Sequence, residues 1–109
     1  MRWKPEGYSS VSPYLIVPDA EATLAFAQAV FDAERLRLHR REDGGIKHAE
    51  FRIDDTVVMV GEMPGGAAAH LHVYVPDADA AFALALATGG NTVQEMTRVE
   101  HDEELAVRR

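Results

Sequence analysis

Tyr14-Leu-Ile-Val-Pro-Asp-Ala-Glu-Ala22 returns later in the chain as His72-Val-Tyr-Val-Pro-Asp-Ala-Asp-Ala80, an offset of 58 residues that places Val75 on Val17. In both copies an extended apolar run meets Val-Pro, and proline cannot donate to a strand ladder, so the strand is expected to stop there. The Asp that follows, Asp19 or Asp77, suits a helix N-cap: its carboxylate accepts the free N–H groups of the first turn and opposes the positive end of the helix dipole. Helical spacing begins at once, with Leu24, Ala27 and Phe31 beside Val30 in the first copy and Ala78, Phe82, Ala85 and Leu86 in the second. Gly89-Gly90 ends the second helix, since glycine takes the left-handed C-cap conformation without a Cβ penalty. The repeated unit is a strand followed by a helix.

Between the two copies lie further strands. Leu36–Arg40 runs into the turn Glu42-Asp43-Gly44-Gly45, Ile46–Ile53 alternates on the far side, Asp54-Asp55 marks another tight turn, and Thr56–Gly61 is a β-branched run. The first half therefore reads β-α-β-β-β. Met63–Ala69, made of breakers and small residues, is a linker. A second strand and helix follow, with weaker strands expected at Asn91–Val99 and Glu104–Arg108. The offset sets Arg109 on Phe51, so the counterpart of Thr56–Gly61 would fall past Arg109. That strand belongs to a longer chain, comes from another subunit, or is missing. The expectation is an α+β protein with one domain over residues 1–109: a first module of about 8–62, a linker 63–69, and an incomplete second module of about 70–109.

A chain of 109 residues, 47% of them hydrophobic, can bury a single core and no second one. Eleven Lys and Arg against eighteen Asp and Glu give a net charge of −7, which repels phosphate backbones and anionic headgroups and argues against nucleic acid and membrane partners. No apolar run approaches the ~20 residues of a spanning helix. The start, Met1–Glu6, has no apolar signal core behind it, so the expected location is cytoplasmic. The absence of cysteine agrees with a reducing compartment and excludes thiolate ligands, disulfides and a cysteine nucleophile. Any metal would be held by His, carboxylate and water.

Period-two alternation sorts the strand side chains. Ala49, Phe51 and Ile53 oppose His48, Glu50 and Arg52; Leu71, Val73 and Val75 oppose His70, His72 and Tyr74; Pro13, Leu15 and Val17 oppose Ser12, Tyr14 and Ile16. The apolar sets should lie under the helices. The others would form one wall if the two sheets curl together: Ser12, Tyr14, His48, Glu50, Arg52, His70, His72 and Tyr74. A wet sheet face explains such alternation without any site. Against it stands composition, because solvent faces carry Lys, Glu and Thr more than three His with two Tyr. Imidazole and carboxylate suit one divalent metal, Zn, Ni, Mn or Fe, with His70, His72 and Glu50 as a facial set. His-x-His on a strand puts both rings on one face about 7 Å apart.

Other features carry less. His101 lies in a charge run that reads as solvated. His39, among Arg37, Arg40 and Arg41, belongs to a basic strand edge that discourages edge pairing. Gly65-Gly66 lacks the lysine and helix of a phosphate loop, and no Ser-His-Asp order or nucleophile elbow is present. Trp3 and Tyr8 fit either the sheet or a subunit partner.

The repeated unit opening with Tyr14-Leu-Ile-Val-Pro-Asp-Ala resembles the vicinal oxygen chelate superfamily of glyoxalase I, bleomycin-resistance proteins and extradiol dioxygenases. Val11–Val17, Val30-Phe-Asp-Ala-Glu34, Lys47–Asp55 and His72–Asp79 look like its PhnB-like branch. The resemblance runs from about Pro5 to Val99. It implies two βαβββ modules of the glyoxalase/bleomycin-resistance/dioxygenase fold, the second lacking its last strand in this chain. In metal-dependent members the ligands come from four strands: those positions fall here on Ser12, near Met59 with Glu62 close by, on His70, and past Arg109.

Three functions follow. One is a metal-dependent lyase, isomerase or dioxygenase with His70 and Glu50 on the ion and Glu50 moving protons. A second is a non-catalytic drug- or metabolite-binding protein of resistance type, its small-molecule ligand lined by Tyr14, Arg52, His72 and Tyr74. A third is a dimeric regulatory module. A homodimer is expected in each case.

Overall fold

A computed structural model describes residues 3–67 and 69–93. The elements run β1 (Tyr14–Val17), α1 (Ala20–Phe31), β2 (Glu34–Arg40), β3 (Ile46–Ile53), β4 (Thr56–Glu62) and α2 (Ala78–Ala87). The four strands form one mixed sheet in the order β1-β4-β3-β2, with β1 parallel to β4 and the other neighbours antiparallel. This is the βαβββ arrangement expected of the first half. No helix among the described residues is long and apolar enough to cross a membrane.

The local signals work as the repeat predicts. Asp19 and Asp77 both sit in extended conformation and accept from Ala22 N at 3.1 Å and Ala80 N at 3.0 Å. Helix α2 closes at Thr88, after which Gly89 has φ +105° and Gly90 N–H returns to the Ala85 carbonyl at 2.7 Å. In the β2–β3 turn, Gly44 at φ +92° lets Arg41 N–H reach the Gly45 carbonyl at 2.7 Å.

One face of the sheet is covered by α1. Ala20, Leu24 and Ala27, at helical spacing, pack with Ala33, Ile46, Ala49, Phe51, Val58 and Val60, and Leu15, Val17 and Ile53 border them. Removing these apolar surfaces from water supplies the main stabilisation of the unit. Glu62, the last residue of β4, ties helix to sheet: Oε2 accepts from Ala20 N at 2.9 Å and Oε1 from Ile46 N at 3.2 Å. The carboxylate suggested as a displaced metal ligand is thus engaged with two backbone donors.

The second copy of the motif departs from expectation. Residues 69–75 form no strand: no ladder partner for them lies among the described residues, whereas β1 is completed by β4. Helix α2 forms and packs on α1, yet none of its residues is buried. Leu84 and Leu86 stay half-exposed. Among the described residues the structure therefore shows one βαβββ module and an added helix. The strands expected at Asn91–Val99 and Glu104–Arg108 lie outside the described residues, except for 91–93, which form no strand.

Candidate functional site

The sheet face opposite α1 carries a row set by register. Tyr14 on β1 pairs with Met59 on β4, and Met59 with Glu50 on β3. On β2 the row meets a β-bulge: Arg35 pairs with Phe51 and Leu38 with Ala49, so Leu36 and Arg37 share the place opposite Glu50. An extra residue re-aims side chains. In unbroken alternation Arg37 would point with Arg35 toward the helix side; instead it lines an open pocket of about 390 Å³ with Trp3, Lys4, Tyr8, Glu50 and Met59.

Glu50 is 4% exposed, the one buried charged side chain among the described residues. Tyr8 Oη–H donates to its Oε1 at 2.5 Å, and His48 Nε2 lies 2.8 Å from its Oε2. His48 Nδ1 is 3.1 Å from Tyr14 Oη. With Glu50 ionised, Nε2–H donates to it; at Nδ1 a neutral ring accepts from Tyr14 O–H and a protonated ring donates to Tyr14 Oη. The result is one hydrogen-bonded chain, Tyr8–Glu50–His48–Tyr14. Burial pushes the Glu50 carboxyl upward most strongly, but the Tyr8 and His48 hydrogen bonds and the charges of His48 and Arg37 together outweigh it, leaving Glu50 below its ordinary value. Tyr8 is raised, chiefly by donating to Glu50 and then by desolvation, and stays a neutral donor.

Tyr8 is brought to the sheet by an irregular strap. Gly7, at φ +85°, presents its carbonyl to Arg52 Nη2 at 2.9 Å, while Arg52 Nη1 pairs with Glu34 at 3.0 Å. Ser9 Oγ accepts from Val57 N at 3.2 Å. Space for the other end of the chain comes from Gly61: a Cβ there would stand 3.2 Å from the Tyr14 ring and 3.3 Å from its hydroxyl.

Of the expected site residues, the structure joins Tyr14 and Glu50 through His48 and places Arg52 beside them as the anchor of the strap. His72 and Tyr74 stack edge-on with centroids 4.9 Å apart, and Tyr74 is 72% exposed. Among the described residues no hydrogen bond or ring contact links this pair or His70 to Glu50, and no three His, Asp or Glu side chains gather as a metal-ligand group. Sequence reasoning put His48 on the right face but gave it no role. It left Tyr8 unassigned, since an irregular segment has no period, and placed Arg37 on a solvated edge, since a bulge is silent in the sequence.

No protein-family model matches the chain. An uncharacterized protein of Mycobacterium bovis is 33% identical over 98 residues, covering 77% of this chain and 64% of the relative, so the chain spans less than two thirds of that protein. Among solved structures, TioX from Micromonospora sp. ML1 superimposes with a TM-score of 0.63 at 23% identity, over 84% of this chain and 81% of that one. FosX, a fosfomycin resistance protein from Listeria monocytogenes crystallised with Mn(II) and sulfate, gives 0.64 at 20% identity, over 82% and 78%.

Proposed function

We infer that this chain shares the fold of the vicinal oxygen chelate proteins, a reading supported by its structural similarity to TioX and FosX. We propose that it is a glyoxalase/bleomycin-resistance-type small-molecule-binding protein, related in its motif wording to the PhnB-like branch, whose ligand sits in the pocket above the Tyr8–Glu50–His48–Tyr14 chain. The observation that carries this reading is a buried carboxylate at the base of an open pocket, fixed by a phenol and an imidazole. Buried charge is costly unless it is paired, and sites that keep one invest hydrogen bonds in holding it. A carboxylate held below its ordinary range is a weak base at neutral pH. That weights binding over proton abstraction by Glu50. Arg52, held by Glu34 and Gly7, serves by positioning the strap.

The enzymatic alternative, with His70 and Glu50 on a divalent ion, has the Mn(II) of FosX in its favour. The donor set of the described residues does not fit it: both Glu50 oxygens are engaged, and no group of three donors forms. The half-exposed Leu84 and Leu86 of α2 favour a homodimer.

Trp3, the only tryptophan in the chain, lines the pocket and reports on its occupancy. Titration with bleomycin and with small aromatic acids and amides, with and without EDTA, should give saturable changes in Trp3 emission that EDTA does not alter. Affinity abolished by EDTA, and equally by His70→Ala, would transfer the reading to the metal enzyme. No saturable response to any compound, with amide NMR signals of Tyr8 and Glu50 unmoved, would refute a ligand site here.

A further inference from the structure

Five arginines fall within the described residues, and four of them have hydrogen-bond partners. Arg35 binds Glu21 and Gln28, Arg40 the Gly44 carbonyl, Arg41 the Glu62 and Ile46 carbonyls, and Arg52 Glu34 and the Gly7 carbonyl. Arg37 differs. Its guanidinium lies over the Tyr8 ring, 5.9 Å from the centroid, and among the described residues it has no hydrogen bond and no ion pair. The bulge opposite Glu50 turns it to the pocket side of the sheet.

A guanidinium carries five donors in a planar fork that matches a carboxylate, phosphonate or phosphate. The cation–π contact with Tyr8 places the group and leaves that fork unspent. The nearby carboxylate is not its partner, since both Glu50 oxygens are taken by Tyr8 and His48. Lys4 lines the same pocket, bonded to Ser10 Oγ at 3.0 Å and 5.2 Å from the Trp3 ring centroid. Two cations thus line one pocket of a chain whose net charge is −7. Trp3, Pro5 and Met59 supply apolar surface between them.

We propose that the pocket selects a small organic anion, its anionic group taken by the fork of Arg37 with Lys4 in support, and its apolar body lying on Trp3 and Met59. This rests on the reading of the pocket as the ligand site and adds the class of ligand and the residue that recognises it.

The test uses three ring compounds of similar size: benzoate, phenylphosphonate and neutral benzamide, each titrated by calorimetry and by Trp3 emission. The anions should bind at least about tenfold more tightly than benzamide, the expected difference for a charge-assisted hydrogen bond. Arg37→Gln should erase that preference. Arg37→Lys, which keeps the charge without the fork, should retain only part of it. Comparison of benzoate with phenylphosphonate assigns the anion as carboxylate or phosphonate. Equal binding of benzamide and the anions, or a preference that survives Arg37→Gln in a variant with wild-type circular dichroism, would overturn the inference and leave the pocket reading standing. Failure of all three to bind at millimolar concentration would overturn both.

Discussion

Replacing Tyr8 by Phe removes one oxygen and keeps the ring over which the Arg37 guanidinium lies. The loss is the 2.5 Å hydrogen bond to a carboxylate only 4% exposed. Hydrogen bonds to charged groups contribute about 1.5–3 kcal/mol, and Tyr8 is partly exposed, so the lower half of that range is expected at neutral pH. The sign of the pH dependence is fixed by the same contact. In the wild type Glu50 lies below its ordinary value, so its contribution is complete above the unfolded pKa of about 4.3 and disappears as pH falls through the lower folded value. Of the influences on Glu50, burial is the largest and acts upward; Tyr8 is the strongest that acts downward. Without Tyr8, burial gains weight and the Glu50 carboxyl moves up. Protonated Glu50 has little need of the phenol, so the stability gap between wild type and Tyr8→Phe should shrink as pH falls below the ordinary carboxylate range and through the lowered folded value. Urea unfolding of both proteins at neutral pH and at acid pH, followed downward until Glu50 is protonated, measures this, because the other carboxylates titrate alike and cancel in the difference. A gap that is the same at both pH values, or below about 0.5 kcal/mol at neutral pH, would show that Tyr8 does not hold the Glu50 charge.

Two further outcomes test how the site is built. Glu62→Ala should cost about 1–3 kcal/mol in urea unfolding, because it leaves the Ala20 and Ile46 amides without their acceptor; Glu62→Gln, which keeps one carbonyl oxygen, should recover part of that loss. Gly61→Ala should leave the fold intact but displace the Tyr14 ring, breaking the 3.1 Å contact with His48, which the His48 side-chain nitrogen NMR shifts will show by moving. Unmoved shifts would mean the ring gives way without losing its partner.

Much of the fold was legible because its signals are local or periodic. Val17-Pro18-Asp19 ends a strand and caps a helix through contacts within a few residues, and both caps form as read. Alternation in Ile46–Ile53 separates Ala49 and Phe51, which pack under α1, from His48 and Glu50, which do not. The site was half legible for the same reason: Tyr14, His48 and Glu50 sit on regular strands, where parity assigns a face. Tyr8 and Arg37 escaped because each depends on a departure from regularity. The strap turns at Gly7 with positive φ, and the bulge on β2 adds one residue opposite Glu50. Arg52 reads from the sequence as a ligand contact, and the structure gives it Glu34 and the Gly7 carbonyl as partners; a strand-face cation looks the same in sequence whether it meets a ligand or a backbone carbonyl.

The two copies of the repeat separate what is encoded locally from what needs a sheet. Asp19 and Asp77 cap equally well, and both helices form. Among the described residues only α1 buries a face, since it alone lies on the four-stranded sheet. Leu24 is 1% exposed, whereas its counterpart Phe82 on α2 is not buried. The run at 70–75 is ended by Val75-Pro76 as β1 is by Val17-Pro18, yet it forms no strand, since no ladder partner lies among the described residues. A cap is satisfied within four residues; a strand is satisfied only by another strand. His70, His72 and Tyr74 would face the Glu50 chain only across a second sheet. The pocket of the described residues is therefore furnished by the strap instead: Trp3, Lys4 and Tyr8 stand over the row that Tyr14, Met59 and Glu50 define.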